Sequence, residues 1–298
     1  MREPGDLLGP MRLPFLVLPP VCVALGAGTA LWTEGTLDAL NLILAFVGSL
    51  SAHVSVNALN EYFDFRSGLD LRTQPTPFSG GSGTLPSRPG AAGVALWTGV
   101  ISLVIAALIG IYFLFVYGLA LLPLGVLGLA LIVSYTSWIT HYPLLCLVAP
   151  GLGFGTFMVM GTDFVLTGSY SWAAFFASLV PFFLVSNLLL INQFPDVEAD
   201  EGVGRRHYPI VLGRKASSLI YAGFLLGAYL SIVAGWALGF LPALALLGLL
   251  SVIIAVPTAL GAYRYAEDIE KLVPYLGRDV LIVVLTPLLV SVGLFIAA

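Results

Sequence analysis

Two short runs of this sequence combine side chains able to hold a metal with side chains able to hold a phosphate. The first reads Asn57-Ala58-Leu59-Asn60-Glu61-Tyr62-Phe63-Asp64, followed by Arg66, Gly68, Asp70 and Arg72. The second reads Asn192-Gln193-Phe194-Pro195-Asp196, followed by Glu198, Asp200, Glu201, Gly204, Arg205 and Arg206. If the helix before the first run continues through it, three- and four-residue spacing puts Asn57, Asn60, Glu61 and Asp64 on one face; Asp196 and Asp200 are again one turn apart. Gly68 offers a stop with Asp70 just past it, and Pro195 breaks the helix leading into the second run. The runs match each other as Asn, an acid or its amide, an aromatic, any residue, then Asp. Two such arms at equivalent places imply a pseudo-twofold pair facing one cavity. Hard carboxylate oxygens suit Mg²⁺, which takes one or two carboxylates and completes its shell with substrate phosphates. Arg72, Arg205 and Arg206 beside them suit the remaining phosphate oxygens. Acids alone would indicate a cation path; acids with arginines indicate a metal–diphosphate site.

The elements that must position these arms follow from composition. Of 298 residues, 59% are hydrophobic and 9% charged, where an ordinary soluble domain is about a quarter charged. The mean hydropathy is +1.00. These values exclude a soluble globule, a disordered chain and a nucleic-acid binder. A membrane helix needs about 20 mostly apolar residues, and nine such segments are expected: 13–32, 38–60, 92–115, 118–139, 144–166, 172–193, 217–238, 241–263 and 279–297. Tyr117-Gly118 is the expected turn between the third and fourth. Pro150 and nearby glycines make the fifth irregular. The apolar run from Leu13 to Trp32 is too long for a signal-peptide core and is expected as a retained first helix. The expected fold is therefore an all-α polytopic bundle around a central cavity, a single domain over 1–298, with catalytic loops near 61–91 and 194–216.

The twelve Lys and Arg residues all fall on one side of this layout. Arg2 and Arg12 precede the first helix. Arg66, Arg72 and Arg88 follow the second; Arg205, Arg206, Arg214 and Lys215 follow the sixth; Arg264, Lys271 and Arg278 follow the eighth. The opposite side carries Glu34, Asp38 and Asp163, and the expected mid-helix regions carry no acid. The positive-inside rule places the N-terminus and the long loops in the cytoplasm, in a cell membrane whose active site opens to that side.

Plainer readings apply to several residues. Arg88, Arg214 and Lys215 set topology, Cys22 and Cys146 are small apolar filler, and His53, His141 and His207 lack metal-ligand spacing. His53, one turn before Asn57, is the most suggestive of the three. The run Gly80 to Gly83 is read as a flexible linker in preference to a lid or phosphate loop.

At the two runs the chain resembles the UbiA superfamily of intramembrane aromatic prenyltransferases. That family's first motif, Asn-Asp-x-x-Asp with a later Asp, is matched by Asn60-Glu61-Tyr62-Phe63-Asp64 and Asp70, with Glu61 in place of the usual Asp. Its second motif is matched by Asp196-Val-Glu-Ala-Asp200, Gly204-Arg205 and Leu212-Gly213. The Gly68-x-Asp70 form is similar to the branch that prenylates 1,4-dihydroxy-2-naphthoate in menaquinone synthesis. The resemblance implies Mg²⁺-dependent prenyl transfer from a polyprenyl diphosphate to an aromatic acceptor inside the lipid bilayer. It implies Asp64, Asp70, Asp196 and Asp200 as catalytic metal ligands, with Asn60, Glu61 and Asn192 assisting. Asn57, Asn60, Tyr62, Arg72, Tyr135 and Arg205 would bind substrate. Other acceptors (4-hydroxybenzoate, homogentisate, a glyceryl phosphate lipid) remain alternatives. A cation-coupled transporter fits less well, since transport acids lie near the bilayer midplane, and the single-run acid pattern of phosphatidyl-alcohol transferases is absent.

Overall fold

The computed structural model describes residues 4–73, 76 and 80–298. Among these there is no strand. Nine helical stretches build the bundle: α1 Leu13–Glu34, α2 Ala39–Ser67, α3 Pro89–Tyr117, α4 Leu119–Ser134, α5 Pro143–Thr167, α6 Trp172–Asn192, α7 Arg214–Ala237, α8 Ala243–Arg264 and α9 Ile269–Ala297. Eight are long and apolar enough to cross a membrane, and α4 is shorter.

The departures from the expected segments have local causes. Helix α2 does not stop at residue 60 but runs 29 residues to Ser67, about 43 Å of helix, which exceeds the roughly 30 Å hydrocarbon thickness. Its last two turns therefore project past the apolar zone and carry the first acid run. Gly68 ends it in the left-handed conformation (φ 79°), its N–H turned back to the Asp64 and Phe65 carbonyls, a close that glycine makes without a Cβ clash. Helix α4 ends at Ser134 rather than 139, and a short 3₁₀ turn, Ile139–His141, follows. Gly118, with φ 78°, makes the turn expected between α3 and α4. Helix α9 begins at Ile269, ten residues early, and absorbs most of the expected loop 264–278. Asp279 is consequently a mid-helix acid, which corrects the expectation that such regions hold none. It is fully buried and accepts a hydrogen bond from the Tyr221 hydroxyl at 2.6 Å. Asp163 is buried as well, held by Thr29 and Ser171 hydroxyls at 2.7 and 2.9 Å.

Packing divides into two zones. Leu25, Val180, Leu184, Ile191, Tyr221, Ile232, Ile282, Val290 and Leu294 form a dense core among α1, α6, α7 and α9. A smaller cluster of Ala45, Phe113, Leu121, Phe164 and Val165 joins α2, α3, the start of α4 and α5 near the end opposite the acids. Helix α4 buries none of its residues from Leu122 to Ser134; its inner side faces a cavity instead. Helix α5 is irregular, as its proline implied: Leu152–Val159 is π-helical, directly after Pro150. Two of its glycines let it touch the backbone of α6. A Cβ on Gly151 would lie 2.1 Å from the Phe182 carbonyl oxygen, and one on Gly155 would lie 2.5 Å from the Phe182 nitrogen and the Ser178 oxygen.

Those contacts predict a sharp contrast between two alanine substitutions. Gly155→Ala forces α5 off α6 and should cost about 1–3 kcal/mol. Gly110→Ala, whose Cβ would meet nothing within 4 Å, should be neutral or stabilising by up to about 1 kcal/mol. Thermal denaturation of the solubilised protein checks both; equal melting temperatures would contradict the packing.

Candidate active site

A cavity of about 650 Å³ runs down the bundle between α2, α3, α4, α5 and α6. Its walls are mostly apolar, with Phe113, Phe154 and Phe157 among them, and its polar residues crowd one end. There Asp64, Asp70, Asp196, Asp200, Asn57, Asn60, Asn192, Tyr135, Arg12, Arg205 and His207 line the mouth.

Each arm is placed by local backbone geometry. The projecting end of α2 carries Asn57, Asn60 and Asp64 on its inner face. The turn at Gly68 folds the chain back so that the Leu69 N–H bonds the Asp64 carbonyl at 3.0 Å, and Asp70 comes to lie by Asp64. In the second arm the helix stops at Asn192 and a new turn, Val197–Glu201, starts after Asp196. The Asp200 N–H bonds the Asp196 carbonyl at 2.8 Å, which keeps these two acids one turn apart.

Arg205 joins the arms. Its guanidinium donates to Asp64 and, at 3.0 Å, to Asp200. His207 Nε2 lies 2.9 Å from the other Asp200 oxygen. Asp64, Asp200 and His207 are all buried. Burial opposes the charge on Arg205, but the Asp64 and Asp200 carboxylates outweigh it and hold the guanidinium protonated. At Asp70, burial first and then the Asp64 and Glu61 charges push the carboxyl up to about 7, while Arg12 and Arg205 pull the other way.

Three expected site residues do not line the cavity. Glu61 is fully buried with both oxygens engaged. Arg12 donates to it at 3.2 and 3.3 Å, and Ser82 donates from its N–H at 3.1 Å and from its hydroxyl. Glu61 thus anchors the N-terminal segment and the glycine run instead of presenting a free ligand. Arg72 donates to the Gly202 carbonyl at 3.2 Å, tying the loops together from outside. Tyr62 packs with Leu85, Ala91 and Ala95. The remaining expected residues do meet at the mouth. Asn60 donates to Thr136 at 3.0 Å and Asn57 to the Met11 carbonyl at 3.0 Å. The glycine run is seated on the acids: Gly81, at φ 75°, would carry a Cβ 3.1 Å from an Asp70 oxygen. Residues 77–79, within the expected glycine-rich stretch from Thr76, lie outside the described residues.

Arg12, Ser82 and His207 were not expected as site residues. Arg12 and Ser82 reach Glu61 from 49 and 21 residues away, and His207 sits in an irregular loop where no periodicity marks a face. Cys146, expected as filler, lines the cavity and accepts a hydrogen bond from Gln193 at 3.2 Å.

The acids suit a divalent cation shared with a phosphate. Among the described residues no three His, Cys, Asp or Glu side chains form a ready-made metal cage. An Asp70 oxygen and the Asn192 amide oxygen are buried without a hydrogen-bond partner. Such orphaned acceptors call for a donor or a cation. Mg²⁺, which leaves most of its shell to water and phosphate, matches that donor set.

The description "UbiA prenyltransferase family" belongs to the family model that matches residues 17–275. A 1,4-dihydroxy-2-naphthoate octaprenyltransferase of Bacillus subtilis is 28% identical over 201 residues, 66% of this chain and 63% of that protein. This chain therefore spans less than two thirds of that relative. A digeranylgeranylglyceryl phosphate synthase of Methanothermobacter thermautotrophicus is 26% identical over 80% of this chain and 77% of that one. Among solved structures, a UbiA homolog from Aeropyrum pernix superposes with a TM-score of 0.67 at 17% identity, covering 95% of this chain and 98% of that one. A UbiA homolog from Archaeoglobus fulgidus bound to GPP and Mg²⁺ superposes with a TM-score of 0.62 at 11% identity, covering 97% and 99%. These structural likenesses show the same fold.

The raised Asp70 carboxyl predicts a pH effect in metal-free protein. Its folded pKa, about 7, lies above the usual 3.8, so the folded chain binds the proton more tightly. The stability this contributes is complete below about pH 4 and is lost as pH rises to about 7, at no more than about 1.4 kcal/mol per pH unit. Asp70→Asn should flatten the decline in melting temperature between pH 4 and 7, measured in chelator; an unchanged slope would contradict the burial of this carboxyl.

Proposed function

The chain belongs to the UbiA prenyltransferase family, and from that premise we propose that it transfers a prenyl group from a polyprenyl diphosphate to an aromatic acceptor within the membrane. The acceptor is proposed to be 1,4-dihydroxy-2-naphthoate. The observation that carries the reading is the meeting of Asp64 and Asp200 across Arg205 at the mouth of an apolar cavity. Likeness to the Bacillus subtilis 1,4-dihydroxy-2-naphthoate octaprenyltransferase and the Gly68-x-Asp70 form of the first motif support the naphthoate. The archaeal relative supports a glyceryl phosphate lipid as the second reading.

Asp64, Asp70, Asp196 and Asp200, with Asn60 and Asn192, would hold Mg²⁺. Bound there, the metal would neutralise charge on the diphosphate oxygens. Arg205 adds fixed positive charge at the mouth, where the departing diphosphate becomes more negative. The prenyl C1–O bond breaks and the electron pair leaves with the diphosphate. The allylic cation left behind faces apolar walls that exclude water and the aromatic faces of Phe154, Phe157 and Tyr135, which attract positive charge. A carbon of the acceptor ring forms the new C–C bond, and loss of a proton or of the acceptor's own carboxylate as CO₂ restores the ring.

Segregation of all twelve basic residues supports placing the mouth on the cytoplasmic side of a cell membrane. The transporter reading finds no support in the buried mid-bundle acids. Asp163 and Asp279 do not line the cavity and are bonded to hydroxyls on neighbouring helices.

Membranes carrying the wild-type chain should transfer label from a prenyl diphosphate to the aromatic acceptor only with Mg²⁺. Asp64→Ala or Asp196→Ala should lower turnover at least 100-fold while the protein still inserts. Full turnover by either variant would reject the metal assignment. Product analysis with a naphthoate, 4-hydroxybenzoate, homogentisate and a glyceryl phosphate acceptor decides between the two acceptor readings.

A further inference from the structure

His53 is the one imidazole among the described residues that line the cavity deeper than Asn57; Arg12, the charged cavity residue whose field reaches it, is paired with Glu61. It shares the inner face of α2 with Ser49, Asn57, Asn60 and Asp64, at successive spacings of three and four. At 1.5 Å per residue it lies about 10 Å along the axis from Asn60 and about 16 Å from Asp64. It is 4% exposed, and its Nδ1 is buried with no hydrogen-bond partner. Its orientation is held by the Phe154 ring, which meets it edge-on with centroids 4.7 Å apart and planes at 86°. Phe154 comes from the π-helical stretch of α5, a distortion common beside functional sites.

An oriented, unmet ring nitrogen in an apolar chamber leaves a polar group unpaired until something binds. An isoprenoid tail offers it nothing, and the diphosphate belongs with the acids at the mouth. A glyceryl lipid carries its polar atoms in one headgroup. A planar aromatic acceptor with a hydroxyl on the side remote from the mouth can reach both ends. We infer that His53 is a positioning residue of the acceptor subsite, hydrogen-bonding through its free ring nitrogen to the remote hydroxyl of a hydroxylated aromatic acceptor. This rests on the prenyl-transfer reading and narrows its acceptor class.

The test uses purified full-length protein with Mg²⁺, geranylgeranyl diphosphate and two acceptors: 1,4-dihydroxy-2-naphthoate and 1-hydroxy-2-naphthoate, which lacks the second hydroxyl. Comparing the ratio of kcat/KM values for the two acceptors across variants cancels their difference in intrinsic reactivity. His53→Ala should raise KM for the dihydroxy acceptor about five- to tenfold, the range of one neutral hydrogen bond. It should leave the donor KM within twofold and reduce the preference for the dihydroxy acceptor by the same factor. His53→Gln, which keeps a polar edge, should recover part of that preference; it carries the same comparison if the alanine variant does not fold. An unchanged acceptor KM, an equal loss with both acceptors, or a change in donor KM instead would overturn the inference while the prenyl-transfer reading stands. Wild-type protein that prenylates no aromatic acceptor would overturn both.

Discussion

The site depends on one arrangement: a single guanidinium between two buried carboxylates that come from distant parts of the chain. Two carboxyl groups so near each other out of water are costly to hold together, because desolvation and mutual repulsion act together. Arg205 compensates both charges, and His207 takes the outer oxygen of Asp200. The arms are thereby held facing each other. That demand explains otherwise odd backbone: a helix that overshoots the apolar zone, a left-handed glycine that returns Asp70, and a proline break that starts a fresh turn at Asp196.

A second layer of ties keeps this mouth attached to the bundle. Glu61, Arg12 and Ser82 fasten the N-terminal segment and the glycine run to α2. Arg72 reaches the Gly202 carbonyl, and Arg214 pairs with Glu198 at 2.7 Å. Charges that merely solvate loops would contribute little; Glu61 is enclosed with its partners, so losing one would strand a buried charge. Below the mouth the constraint reverses. Helix α4 leaves Leu122 to Ser134 unburied, and glycine-mediated contact between α5 and α6 closes the far wall. The result is an open apolar volume beside a dense core.

Much of this was legible from residue types and spacing. A membrane bundle followed from scarce charge, the one-sided basic residues followed from the loops, and the paired Asn-x-x-x-Asp runs marked both arms. Helix ends were less legible: α2 and α9 continue past the apolar windows because tertiary contacts support polar turns that hydropathy alone would end. The acid at position 279 was therefore placed at a helix start instead of inside one, where Tyr221 satisfies it. Glu61 sits within the motif and at the right spacing, yet its carboxylate is consumed by partners that spacing does not reveal.

What the sequence determined by itself was the set of groups and the side of the membrane bundle on which they gather, because periodicity, helix stops and charge segregation are local properties. Which carboxylates face the cavity, which are spent on anchoring, and where an imidazole waits without a partner were decided only by the tertiary structure. Those outcomes depend on residues such as Arg12, Arg205 and Phe154 arriving from far along the chain, and contacts between distant segments leave no period for a sequence to display.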